Sequence, residues 1–109
     1  MSVAVDQIDG IRRVALHGRL DADGLRDIEP EFMTAATSEP NVVVDLSAVE
    51  FLASLGIRML VAASQEQEKL GGRLVLAAPD AMTMRILKAT GVDQLVPVSD
   101  TAADAAARF

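Results

Sequence analysis

The chain contains no cysteine, tryptophan or tyrosine, and its only aromatic residues are three phenylalanines. Without cysteine there is neither a disulfide framework nor thiol chemistry. One histidine, His17, leaves no His pair at ligand spacing, so no metal site is expected. Positive charge is also scarce. Ten Lys and Arg stand against sixteen Asp and Glu, a formal net charge of −6. No basic patch is there to displace phosphate counterions, which argues against nucleic acid as a partner. The same deficit argues against adsorption to an anionic membrane surface. No unbroken apolar run is longer than 59–63, far short of the roughly 20 residues of a membrane span. No basic segment followed by an apolar one opens the chain, so a secretory signal is not expected. A cytoplasmic protein without direct membrane insertion is the expectation.

What remains is aliphatic. Half of the 109 residues are hydrophobic, so Val, Ile, Leu, Met and Ala must build the core of one domain, 1–109. Segments 2–8 and 11–17 read as strands joined by Asp9-Gly10, a two-residue hairpin signal. Segment 18–24 reads as a loop. From Leu25 the apolar spacing becomes helical through Ile28, Phe32 and Ala35 or Ala36, ending near Ser38 before Pro40. Segment 41–46 is a continuous apolar strand of the kind buried on both faces. Ser54 opens a helix to about Leu70, where Gly71-Gly72 supplies the stop. A strand over 73–78, a helix from Pro79-Asp80 through Thr90, a short strand over 95–98 and an alanine-rich helix over 100–108 complete the chain. The alternation predicts an α/β fold: a mixed β-sheet with helices packed against it and an N-terminal β-hairpin.

Catalytic patterns are missing. No serine sits in a nucleophile elbow, and Asp21-Ala22-Asp23 lacks the spacing of a calcium loop. Gly71-Gly72 closes a helix and so cannot cradle a phosphate at its start. Asp45, at the end of an apolar strand, lacks the lysine and the N-terminal acidic pair that a phospho-aspartate site would need. The sequence supports no enzyme and no cofactor.

The most informative stretch is Phe51-Leu52-Ala53-Ser54-Leu55-Gly56-Ile57-Arg58-Met59-Leu60. It places the Ser54 hydroxyl where loop turns into helix, among free N–H groups and at the positive end of the helix dipole. Such a serine is either a helix cap or a phosphate carrier. The helix also carries two apolar faces in its first turns. Ile57, Leu60, Val61 and Ser64 should pack on the sheet, against Val43 and Val75. Leu55, Arg58, Met59 and Ala62 fall roughly 200° away. Either neighbouring loops cover this second face, or it is an exposed patch that docks a partner.

These residues carry a resemblance to the STAS domain of bacterial anti-sigma-factor antagonists, over nearly the whole length. Gly18-Arg19-Leu20-Asp21 resembles the family's loop after the second strand, and Val42-Val43-Val44-Asp45-Leu46 its central strand. Phe51-Leu52-Ala53-Ser54-Leu55-Gly56 resembles the phosphoacceptor turn. Gly71-Gly72-Arg73-Leu74-Val75, Arg85-Ile86-Leu87 and Thr90-Gly91-Val92 resemble its later elements. The family's commonest turn has an Asp, two hydroxyl residues and Gly. Here Ala53 replaces the acid and Leu55 the second hydroxyl.

The resemblance implies a non-enzyme that binds an anti-sigma factor or related serine kinase while unphosphorylated. It is released on phosphorylation of Ser54 and reset by a serine phosphatase. Asp21, Asp23, Leu55, Gly56, Arg58 and Met59 are the implied partner-binding residues. The alternatives are a non-switching STAS subunit of a regulatory or lipid-transport complex and, third, a nucleotide- or small-ligand-binding module.

Overall fold

A computed structural model describes residues 2–109. The elements run β1 (Ser2–Ile8), β2 (Ile11–Leu20), α1 (Ala22–Thr37), β3 (Asn41–Leu52), α2 (Ser54–Lys69), β4 (Arg73–Ala77), α3 (Ala81–Ala89), α4 (Val92–Leu95), β5 (Val98–Ser99) and α5 (Ala102–Ala106). The five strands form one sheet in the order β1-β2-β3-β4-β5. β1 and β2 are antiparallel and the remaining neighbours parallel. This is the mixed α/β sheet with an N-terminal hairpin that the sequence predicts. Asp9 and Gly10 make the hairpin turn with φ of 51° and 80°, the two positive values that a type I′ turn requires.

The two faces of the sheet are covered unequally. Val14, Leu16, Val42, Val44, Leu46, Leu74 and Leu76 point into the main core, where they meet Leu25, Ile28 and Phe32 of α1 and Met59, Leu60 and Ala63 of α2. The intervening residues Val43, Val75 and Ala77 point the other way and are covered by Ala105 and Ala106 of α5. Side chains alternate along a strand, so a reading one residue out of register exchanges the faces. That corrects one expectation. Leu60 is fully buried, but in the core that holds Val42, Val44, Leu74 and Leu76, whereas Val43 and Val75 lie under α5.

Several boundaries also differ. β2 continues to Leu20 and β3 to Leu52, through stretches expected as loop. Their pairing slips between Ala15 and His17 and again between Gly18 and Arg19. Each slip interrupts the alternation by which a strand is recognised. α1 starts at Ala22 and keeps Pro30 inside it. The stretch expected as a strand over 95–98 divides into the end of α4 and the start of β5, because Gly91 in the left-handed region restarts a short helix. The final helix is confined to Ala102–Ala106, capped by Thr101.

Candidate functional site

The carboxyl ends of β2 and β3 set the site. Arg19 pairs with Phe51 and Leu20 with Leu52, and the Arg19 guanidinium lies 4.5 Å from the centroid of the Phe51 ring, a cation–π contact. The Ala53 N–H donates to the Leu20 carbonyl at 3.1 Å. This bond holds the start of α2 beside the start of α1.

α1 opens with a closed end. Asp21, extended at φ −106° and ψ −179°, accepts a hydrogen bond from the Gly24 N–H at 2.9 Å. Arg19 Nε reaches the other oxygen of the same carboxylate at 3.2 Å. The Gly24 N–H, then Arg19, holds the Asp21 carboxyl below the usual carboxylate range. Asp21 is thus the helix N-cap, a structural role that the sequence reading missed. The signal was there: an Asp three residues before a Gly, ahead of an apolar helical period. Asp23 sits in the first turn of α1, 94% exposed at its side chain and 3.7 Å from Arg26.

α2 opens differently. Its N-cap is Ala53, extended at φ −104° and ψ 175°, and no side chain caps the helix. Ser54 is the first helical residue and is exposed. The choice between cap and phosphate carrier is therefore narrowed, since Ser54 is not the cap. By contrast, Asp80 caps α3 through the Thr83 N–H at 2.7 Å, and Thr101 caps α5. An uncapped first turn leaves N–H groups without an internal partner.

Between the two helices runs a groove of about 380 Å³, lined by Ala22, Leu25, Arg26 and Glu29 of α1 and by Leu55, Arg58, Met59 and Ala62 of α2. The structure thus brings Leu55, Arg58 and Met59 together one turn from Ser54, with Asp21 and Asp23 at the start of the facing helix. Two of the expected partner residues need correction. Met59 is only 2% exposed and belongs to the core, so it offers a partner almost no surface. Gly56 is buried. A Cβ there would lie 2.8 Å from Leu20 Cβ and 2.9 Å from the Leu20 carbonyl oxygen. Its work is to let α2 approach the end of β2. Leu55, 46% exposed, and Arg58 form the accessible part. The second apolar face is therefore split: α1 covers its inner edge and solvent meets its outer edge.

Elsewhere, a groove of about 520 Å³ lies at the far end of α2, lined by Ser64, Glu68, Arg73, Asp93 and Leu95 among others. None of the expected site residues lines it. Asp45 is not at a strand end, because β3 continues beyond it. Its carboxylate accepts from the Ser47 N–H at 2.9 Å and lies 3.9 Å from Arg13. Among the described residues, no helix is long and apolar enough to cross a membrane.

Comparison with known proteins places this arrangement. The profile of the STAS domain matches residues 2–105. The anti-sigma-F factor antagonist RsfB of Mycobacterium tuberculosis is 30% identical over 96% of this chain and 86% of its own. A crystal structure of an anti-sigma factor antagonist from Mycobacterium paratuberculosis superposes with a TM-score of 0.86 at 31% identity, covering 98% of this chain and 92% of that one. The Bacillus cell fate determinant SpoIIAA in its phosphorylated form shares the fold, with a TM-score of 0.69 at 18% identity over 98% of each chain.

Proposed function

The chain belongs to the STAS domain family, and from that premise we propose that it is an anti-sigma-factor antagonist acting by partner switching. In this reading residues 1–109 work as one STAS domain, cytoplasmic and without catalytic activity of its own. The unmodified protein binds an anti-sigma factor or a related serine kinase through the surface around Ser54. The bound kinase transfers the γ-phosphoryl group of ATP to the Ser54 hydroxyl, leaving ADP, the complex separates, and a serine phosphatase restores the hydroxyl by hydrolysis to inorganic phosphate. The names of the mycobacterial relatives support the antagonist role. The observation that carries the switch is the open start of α2, with an exposed serine at the first helical position and no side chain on the N–H groups around it.

The physics favours release over unfolding. A phosphoserine adds about −1.5 to −2 charges. At the first turn of a helix, free N–H groups and the dipole favour an anion by roughly 0.3–1 kcal/mol, so the fold tolerates it. Across an interface the same group must be desolvated against a surface shaped for a neutral hydroxyl. That penalty, about 2–5 kcal/mol, corresponds to a roughly thirty- to several-thousand-fold loss of affinity. Leu55, Arg58, Asp21 and Asp23 are the residues proposed to meet the partner.

The test uses the partner captured from native cells and titrated calorimetrically. Ser54→Asp should keep the thermal midpoint near that of the parent and lose binding, while Ser54→Ala should bind and resist release by ATP. Equal binding by the parent, Ser54→Asp and the authentic phosphoprotein would overturn the switch.

A further inference from the structure

The groove beside Ser54 contains a cation whose role the fold does not explain. At this end of the molecule Arg19 is paired with Asp21 at 3.2 Å and Arg26 with Asp23 at 3.7 Å. Arg58 is exposed on the groove wall and makes no ion pair among the described residues. Glu29, the carboxylate that lines the same groove, does not pair with it either. In a chain of net charge −6, an arginine left without a carboxylate is available to something else.

We propose that Arg58 is the intramolecular counter-ion for a phosphate on Ser54, so that modification adds negative charge and withdraws the groove's unpaired cation in one step. The inference rests on the reading of Ser54 as the phosphoacceptor. Both residues belong to α2 and stand four positions apart, both exposed. That spacing makes them neighbours on a helix surface. Long helical side chains lean toward the N-terminus of their helix. From position 58 that lean runs back along the turn that starts at Ser54. The planar guanidinium matches two phosphate oxygens at once, which an ammonium does not.

Before modification, Arg58 is free for an acidic group of the partner at the groove. Afterwards its hydrogen bonds are taken in cis by the phosphate. The partner's acid then faces the remaining negative charge of the phosphate. The change needs no movement of the backbone, only a change of partner for one side chain.

The test isolates Arg58 from the helix end it shares. Phosphoserine is installed genetically at position 54, and the second ionisation of the phosphate is followed by ³¹P NMR against pH. Its midpoint should lie roughly 0.2–0.4 pH unit lower in the otherwise unaltered protein than in the same phosphoprotein carrying Arg58→Gln. Arg26→Gln, across the groove, should leave it in place. The side-chain Nε–H resonance of Arg58 should also shift on phosphorylation of the unaltered sequence, a measurement that requires no substitution at position 58. An identical midpoint with and without Arg58, or an unmoved resonance, overturns the counter-ion role and leaves the phosphoacceptor reading standing. Protein from native cells that never carries phosphate on Ser54 by mass spectrometry overturns that reading instead.

Discussion

Two helices start side by side at the carboxyl ends of neighbouring strands, and they start in opposite ways. α1 begins under Asp21, whose carboxylate closes the Gly24 N–H and is itself held by Arg19. α2 begins under Ala53, which has the same extended backbone but no side chain to offer. Both starts are pressed against the end of β2: Gly24 against the Arg19 carbonyl and Gly56 against Leu20, with no space for a Cβ at either position. The packing requirement is shared, and the electrostatic completion is not. A missing cap forgoes about 0.5–2 kcal/mol of stability. The comparison teaches that α2 is anchored by its glycine and its buried face, while its first turn stays free for an anion or a partner.

The comparison breaks most severely at the buried face. Met59→Asp would place a carboxylate in the main core, and the expected loss is on the order of 4–5 kcal/mol in urea unfolding. Leu55→Asp, on the exposed side of the same turn, should change stability by less than about 0.5 kcal/mol. A folded, stable Met59→Asp protein would return Met59 to the docking surface and reopen the assignment of that face.

Next come the two glycines. Gly24→Ala and Gly56→Ala each push a methyl group against backbone, and a loss of about 1–3 kcal/mol is expected despite the better helix propensity of alanine. Stability unchanged or raised at either position would show that the helix starts can retreat from β2.

A smaller effect of opposite sign sharpens the contrast. Ala53→Asp gives α2 the cap that α1 already has, on backbone already in cap geometry. The midpoint of urea unfolding should rise, with a gain of about 0.5–2 kcal/mol. No gain would mean that the first-turn N–H groups of α2 are already satisfied.

The smallest effect depends on pH. The Gly24 N–H and Arg19 lower the Asp21 carboxyl in the folded protein, so its contribution is present above the unfolded carboxylate value, about 3.9, and is lost as pH falls through the lowered folded value. Asp21→Asn keeps a capping oxygen and removes that titration. The variant should be slightly less stable than the parent near neutral pH, and the difference should close as pH falls below about 4. Asp6, lowered by its bond to Arg13, and Asp80, lowered by the Thr83 N–H, keep part of the acid sensitivity in place. Identical acid profiles for parent and variant would place Asp21 outside the linkage.

Much of the fold was legible in the residues because each signal was local. Asp9-Gly10 admits only a tight turn, the aliphatic runs 42–44 and 74–76 demand burial, and Leu25, Ile28, Phe32 and Ala36 mark one stripe of a helix. The position of Ser54 at a helix start was equally readable. The ends of β2 and β3 were not, because bulges scramble the period of two by which strands are recognised. The cap of α2 was missed by one residue, a shift that turns Ser54 from a capping group into an exposed hydroxyl.

By itself, then, the sequence determined the order of the elements from β1 to α3, the hairpin and the aliphatic core, since each depends on residue type and near-neighbour spacing. Only the tertiary structure decided which side of each strand α2 covers, that Met59 and Gly56 belong to packing, and that Arg58 lines a groove between α1 and α2. Those outcomes depend on where α1 and the end of β2 lie against α2. Residues thirty or more positions apart cannot report that distance through their spacing along the chain.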